Sequence, residues 1–162
     1  MMDITELVGA VQSLNTPDAF RARFSVEQWR VLAQYLTRHE LRGGDLLIKQ
    51  GDADRTTYFL ARGSLQMFAT GVAGGHRVLV LRPGSIVGEL GLFVDTPQPA
   101  NVEAMTPCVV WALRMPRFEE MGQRVPMLAL EFVRAAGAVV AQRLGAIVPP
   151  VPSGATRPAP LG

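Results

Sequence analysis

Glu89 stands in the run Gly88-Glu89-Leu90-Gly91, at the centre of the stretch from Arg82 to Ala104, "RPGSIVGELGLFVDTPQPANVEA". The stretch joins a Pro-Gly turn, a glycine-spaced run able to coil into one short helical turn, and a Pro-bracketed loop, Pro97-Gln98-Pro99-Ala100, that leads into an alternating segment. Such a stretch makes a concave backbone surface with one fixed carboxylate. Glu89 can face that concavity as an acceptor for a ligand, or it can cap nearby backbone N–H groups and serve structure alone.

Other candidate chemistry is weaker. His39 and His76 are far apart in sequence and do not form the clustered ligands of a metal site. Ser85 directly follows Gly84 in "GSIVG", which is not the spacing of a nucleophile elbow. The segment Asp52 to Arg55 lacks the spaced oxygens and closing glutamate of a calcium loop. Gly71 to Gly75 lacks the lysine of a phosphate-binding loop and reads as a hairpin. The lone Cys108, inside the apolar run "CVVWAL", reads as a small core residue. No catalytic constellation is evident, so the expectation is a protein that is not an enzyme.

The elements that must position Glu89 follow from periodicity. Ile4, Leu7, Val8 and Val11 predict an amphipathic helix over Asp3 to Leu14. After the breaker "NTP" comes a short turn carrying Phe20 and Phe24. Ser25 with Gln28 then forms a capping box for a helix over Val26 to Arg38 that buries Trp29, Leu32, Ala33 and Leu36. From His39 the pattern changes to short runs rich in β-branched and aromatic residues. Strands are predicted at Leu46–Lys49, Thr57–Ala61, Ser64–Ala69, Arg77–Leu81, Ile86–Val87, Asn101–Ala104 and Val109–Leu113. Many short strands with glycine turns imply a β-roll of jelly-roll type rather than a parallel sheet.

Pro116 and Pro126 each mark a helix start, the second running to about Val148. In that helix Leu130, Val133, Gly137, Val140, Leu144 and Ile147 form one stripe, and Ala129, Phe132, Ala136, Val139, Arg143 and Ala146 form another. Two apolar faces call for two partners: the β-roll, and the same helix of a second subunit. A homodimer through Met127–Val148 is therefore expected. The organisation reads as N-terminal helices (1–38), a β-roll (39–115), C-terminal helices (116–148) and a Pro-rich, disordered tail (149–162).

Composition bounds the class. With 48% hydrophobic and 19% charged residues over 162 positions, the chain can bury a core as one domain. No apolar run reaches the ~18 residues of a membrane span. The start "MMDITELVGA" is unlike a secretory signal, and a cytoplasmic protein is expected. A net charge of +2, with one lysine (Lys49) and dispersed arginines, gives no concentrated basic face for nucleic acid.

Read together with "GDADRTTYFLARGSLQMF" upstream, the Arg82–Ala104 stretch resembles the phosphate-binding cassette of the cyclic-nucleotide-binding domain family, the module of the catabolite activator protein and of protein kinase A regulatory subunits. The resemblance spans about Phe24 to Val148. It implies a mainly β fold, a β-roll with N-terminal helices and a long C-terminal helix, acting as a regulatory module for cyclic AMP or cyclic GMP. It also implies that Gly88, Glu89 and Leu90 hold the ribose, with Glu89 accepting from its 2′-hydroxyl. The phosphate half departs from the pattern: Gln98 stands where the family has an arginine, Pro99 lacks a backbone N–H where one is used, and Ala100 keeps its own. A charge-assisted hydrogen bond contributes about 1.5–3 kcal/mol and a neutral one about 1, so the losses weaken affinity on the order of a hundredfold. Arg77 and Arg82 are the candidate substitutes. The family's transcription factors carry a helix-turn-helix after the long helix, and this sequence has none there, so direct DNA binding is not expected. The reading is a sensor that binds a nucleotide weakly or with altered specificity. The alternative is a ligand-free, dimeric scaffold for a protein partner.

Overall fold

The computed structural model describes residues 3–71 and 78–147, together with 154, 159 and 160. In chain order these form α1 (Thr5–Ser13), α2 (Val26–Ala33), β1 (Thr37–Leu41), β2 (Leu46–Ile48), β3 (Thr57–Arg62), β4 (Leu65–Phe68), β5 (Val78–Leu81) and β6 (Ile86–Val87). A single 3₁₀ turn (Glu89–Leu92), β7 (Asn101–Ala104), β8 (Cys108–Leu113), α3 (Met115–Arg124) and α4 (Pro126–Ile147) follow. The strands make two antiparallel sheets, ordered β1-β8-β3-β6 and β2-β7-β4-β5, which is the β-roll the strand pattern predicts.

The first sheet is buried on both faces, which explains why all six residues of β8 are buried and the segment reads as an unbroken apolar run. Leu60, Val87, Cys108 and Val110 face the second sheet, in a core shared with Leu65, Leu81 and Val102. Phe59, Ala61, Val109, Trp111 and Leu113 face the helices. There Phe20, Phe59 and Phe132 form an aromatic triad with centroids 5.1 to 5.8 Å apart, joining the α1–α2 loop, β3 and α4. Helix α1 rests on the Pro83-Gly84 turn so closely that a Cβ at Gly84, whose φ is +98°, would collide with the Ala10 carbonyl oxygen.

Three local expectations differ from the structure. Helix α2 has its Ser25–Gln28 capping box but ends at Ala33. Residues 37–41, predicted as a helix end and loop, instead pair with β8 from Thr37↔Ala112 to Leu41↔Cys108. β1 is an edge strand, and its charged sequence "TRHEL" carries no apolar alternation because one such strand needs only backbone partners. The turn before α2 falls at residues 16–18, with the Ala19 N–H donating to the Thr16 carbonyl, so Phe20 and Phe24 lie on extended chain. Most of the tail, and residues 72–77 with His76 and Arg77, lie outside the described residues.

Helix α4 sorts its two apolar stripes. Ala129, Phe132, Ala136 and Val139 are buried against the roll, whereas Leu130 and Leu144 remain 62% and 59% exposed. Phe132 is fully buried in the aromatic triad. Phe132→Ala is therefore expected to lower unfolding free energy by about 3–5 kcal/mol in urea titration, and a loss under 1 kcal/mol would show that the triad does not hold α4.

Candidate functional site

The carboxylate of Glu89 is positioned by backbone geometry that few sequences allow. β6 pairs with β3 through Tyr58↔Val87 and Phe59↔Ile86, then the chain reverses at Gly88 with φ +77° and ψ 7°. A Cβ there would lie 2.5 Å from the Thr56 carbonyl oxygen, so glycine is required both for the left-handed conformation and for the close approach. The 3₁₀ turn then forms, with the Gly91 N–H donating to the Gly88 carbonyl at 3.1 Å. Arg55 braces its far end, Nε donating to the Gly91 carbonyl at 2.8 Å. No side chain caps the start of the turn, so Glu89 does not act as its N-terminal cap.

Instead Glu89, 7% exposed, accepts a hydrogen bond from Arg143 of α4. The guanidinium sits at a junction of three elements. Nη1 donates to Glu89 Oε1 at 2.8 Å, Nη2 to the Ile86 carbonyl at 2.7 Å, and Nε to Asp18 Oδ2 at 3.0 Å. Its side chain is 14% exposed. Two carboxylates surround one guanidinium, leaving one negative charge in excess. Burial acts to raise the pKa of Asp18, but Thr16 beside the carboxyl, followed by the hydrogen bond and charge of Arg143, outweighs it and holds the group below the ordinary aspartate value.

The sequence pattern puts Arg143 in the second of the two apolar stripes of α4 and assigns it no role. The available signal was its isolation: a lone arginine in an otherwise apolar stripe needs a carboxylate to be buried at all. Nothing local identifies the partners, which lie 54 and 125 residues away in sequence.

Glu89, Gly88 and Leu90 line one side of a cavity of about 230 Å³, and Gln98, Pro99 and Ala100 line another. Ile48, Met67, Val87 and Val102 from the roll, with Val140 and Leu144 from α4, supply apolar walls. All six residues singled out in the sequence thus meet at one cavity. Among the described residues that line it, Arg143 is the one cation, and it is already shared between carboxylates. Arg82 is exposed and is not part of the lining; Arg77 lies outside the described residues.

Gln98 does more than stand in for another residue. It is 8% exposed, and its Nε2 donates to the Asp54 carbonyl at 2.6 Å. Its backbone exchanges two further bonds with the neighbouring loop, Gln98 N–H to the Asp52 carbonyl and Gly51 N–H to the Gln98 carbonyl, both 2.8 Å. The amide therefore ties the Pro-bracketed loop to residues 51–54. Pro99 is exposed and Ala100 half-buried.

Comparison with known proteins agrees with this geometry. The profile of the cyclic nucleotide-binding domain matches residues 38–125. The chain is 32% identical over 121 residues to the acetyltransferase Pat of Mycolicibacterium smegmatis, an alignment covering 75% of this chain. The chain spans only about a third (35%) of the length of that relative. Among solved structures, a cyclic nucleotide-binding domain from Methylobacillus flagellatus superposes with a TM-score of 0.75 at 18% identity, covering 87% of this chain and 78% of that one. The Thermus thermophilus catabolite activator protein superposes with a TM-score of 0.68 at 26% identity, covering 82% of this chain and 60% of that one. Among the described residues no helix is long and apolar enough to cross a membrane.

The Asp18–Arg143 contact predicts an acid-sensitive component of stability. Because the folded-state pKa lies below the unfolded value of about 3.9, the stabilisation is complete above that value and is lost as pH falls through the folded one. Urea midpoints of wild type are thus expected to fall more steeply below about pH 4 than those of Asp18→Asn; parallel profiles would show that Asp18 contributes nothing through its charge.

Proposed function

The chain belongs to the cyclic-nucleotide-binding domain family, and on that premise we propose that it is a non-enzymatic regulatory module whose cassette senses a cyclic nucleotide weakly, with α4 as the element that reports binding. The observation that carries this reading is the hydrogen bond between Glu89 and Arg143. One oxygen of the carboxylate that the family resemblance assigns to the ribose hydroxyl, Oε1, is already held, and the group holding it belongs to the last helix. A nucleotide such as cyclic AMP or cyclic GMP whose hydroxyl seats on Oε1 displaces Arg143, so binding and the position of α4 are linked through one acceptor oxygen. Gly88, Glu89 and Leu90 serve the ribose side, and Gln98, Pro99 and Ala100 the phosphate side. Weakness follows from charge. An incoming phosphate meets an excess negative charge and no unshared cation among the lining residues.

Dimerisation belongs to the same proposal. The outward residues Met127, Leu130 and Leu144 are 70%, 62% and 59% exposed along α4, a stripe suited to a second copy of the helix. The same stripe favours the second reading, a ligand-free dimeric scaffold for a protein partner. The proposed units remain the N-terminal helices (1–38), the roll (39–115), the dimerising helices (116–148) and the tail.

Calorimetric titration of cyclic AMP and cyclic GMP into wild type and into a Gln98→Arg, Pro99→Ser double variant separates these readings. Restoring one charge-assisted bond and one N–H is expected to tighten binding by about tenfold to a hundredfold. The melting point should follow, since ligand at a hundred times its dissociation constant adds about 2.7 kcal/mol. Tight binding by wild type that the substitutions leave unchanged would refute the weak-sensor reading, and silence of both proteins would leave the scaffold.

A further inference from the structure

On the opposite flank of α4 from the cassette lies a larger cleft, of about 540 Å³, between α1, the α1–α2 loop and α4. Its volume is within the range of roughly 300–1,000 Å³ typical of small-molecule sites, whereas the cassette cavity is below it. Phe20, Trp29 and Ala135 form an apolar base, and Arg21, Arg23 and Arg134 stand among the residues that line it. No carboxylate is among the lining residues.

The charges here are distributed in the reverse of the cassette. Arg134 is paired with Glu131, and its Nη2 donates to the Arg21 carbonyl at 3.1 Å, which sets the guanidinium beside the loop. Arg21 and Arg23 form no salt bridge within 4 Å of a described carboxylate, although the charge of Arg23 also acts on Glu131. Among the described residues the Arg21 guanidinium makes one hydrogen bond, a long one of 3.4 Å to the Thr16 carbonyl. With three arginines lining the cleft and Glu131 beside Arg134, the lining carries a positive charge in excess. Planar, permanently charged donors over an apolar base suit a carboxylate or phosphate attached to an apolar body.

We propose that this cleft is a second binding site, separate from the cassette, for a small organic anion with an apolar body and a phosphate or carboxylate head. The body packs on Phe20, Trp29 and Ala135, and the head engages Arg21 and Arg23. The site does not depend on nucleotide binding at Glu89.

The test is calorimetric titration of 1-naphthyl phosphate, 1-naphthoate, uncharged 1-naphthol and inorganic phosphate into the full chain. At least one of the two naphthyl anions is expected to bind, with naphthol and inorganic phosphate each weaker by about tenfold or more, because each keeps only one half of the recognition. Comparing the two anions tells a phosphate head from a carboxylate head. Arg21→Gln with Arg23→Gln, both at exposed positions, should weaken the anion by about tenfold or more, and wild-type affinity should fall as salt rises. Arg82→Gln, at an exposed arginine that does not line the cleft, should leave it unchanged within about twofold. The proposal is overturned if neither anion binds at millimolar concentration, if the arginine substitutions and salt leave binding unaltered, or if Arg82→Gln weakens binding as much as the cleft substitutions do.

Discussion

A single guanidinium, buried between two carboxylates, determines how the parts of this protein meet. Arg143 reaches from the last helix to Glu89 in the cassette, to Asp18 in the N-terminal loop and to the Ile86 carbonyl at the end of β6. An ion cluster of this kind adds little net stability over an apolar core, because desolvation offsets most of the attraction. Its consequence is geometric. Removing any one partner strands the others in a poor solvent, so α4 has one favourable seat on the roll rather than a continuum of them. The apolar triad of Phe20, Phe59 and Phe132 holds the middle of the helix regardless, and the charged cluster governs its distal half.

That division gives the proposed switch its physical content. A ligand shifts an equilibrium only by its difference in affinity for the two states. Here the difference would arise at Oε1 of Glu89, where Arg143 and a ligand hydroxyl would compete. Val140, one turn before Arg143, and Leu144, the residue after it, line the same cavity with apolar surface, so releasing Arg143 would also open that wall. The exposed Met127 and Leu130 do not line that cavity, whereas Leu144 belongs both to the outer stripe and to the cavity wall, so movement of the helix at the cassette would reach a partner on the stripe.

Much of this fold is legible in the sequence because its signals are local. Seven of the eight strands follow from β-branched runs and glycine turns. The capping box at Ser25, the turn at Glu89 and the start of α4 at Pro126 follow from residues within a few positions of one another. β1 escaped because an edge strand stabilised by backbone pairing with β8 needs no apolar alternation. The six cassette residues are close enough in sequence for their meeting at one cavity to be foreseen. What could not be foreseen is how their side chains are spent: Gln98 braces a loop through the Asp54 carbonyl, and Glu89 is held by a residue 54 positions away. Long-range polar pairs leave one mark in a single sequence, a charged residue where the pattern asks for an apolar one, and Arg143 carries that mark.

The central claim is that Arg143 competes with ligand for Glu89. The most direct measurement is the affinity for cyclic AMP of the Gln98→Arg, Pro99→Ser variant with and without Arg143→Ala. Competition predicts that removing the guanidinium tightens binding, by about tenfold for one charge-assisted bond no longer broken. Weaker binding without Arg143 would mean that the guanidinium contacts the ligand rather than excluding it, and would contradict the account.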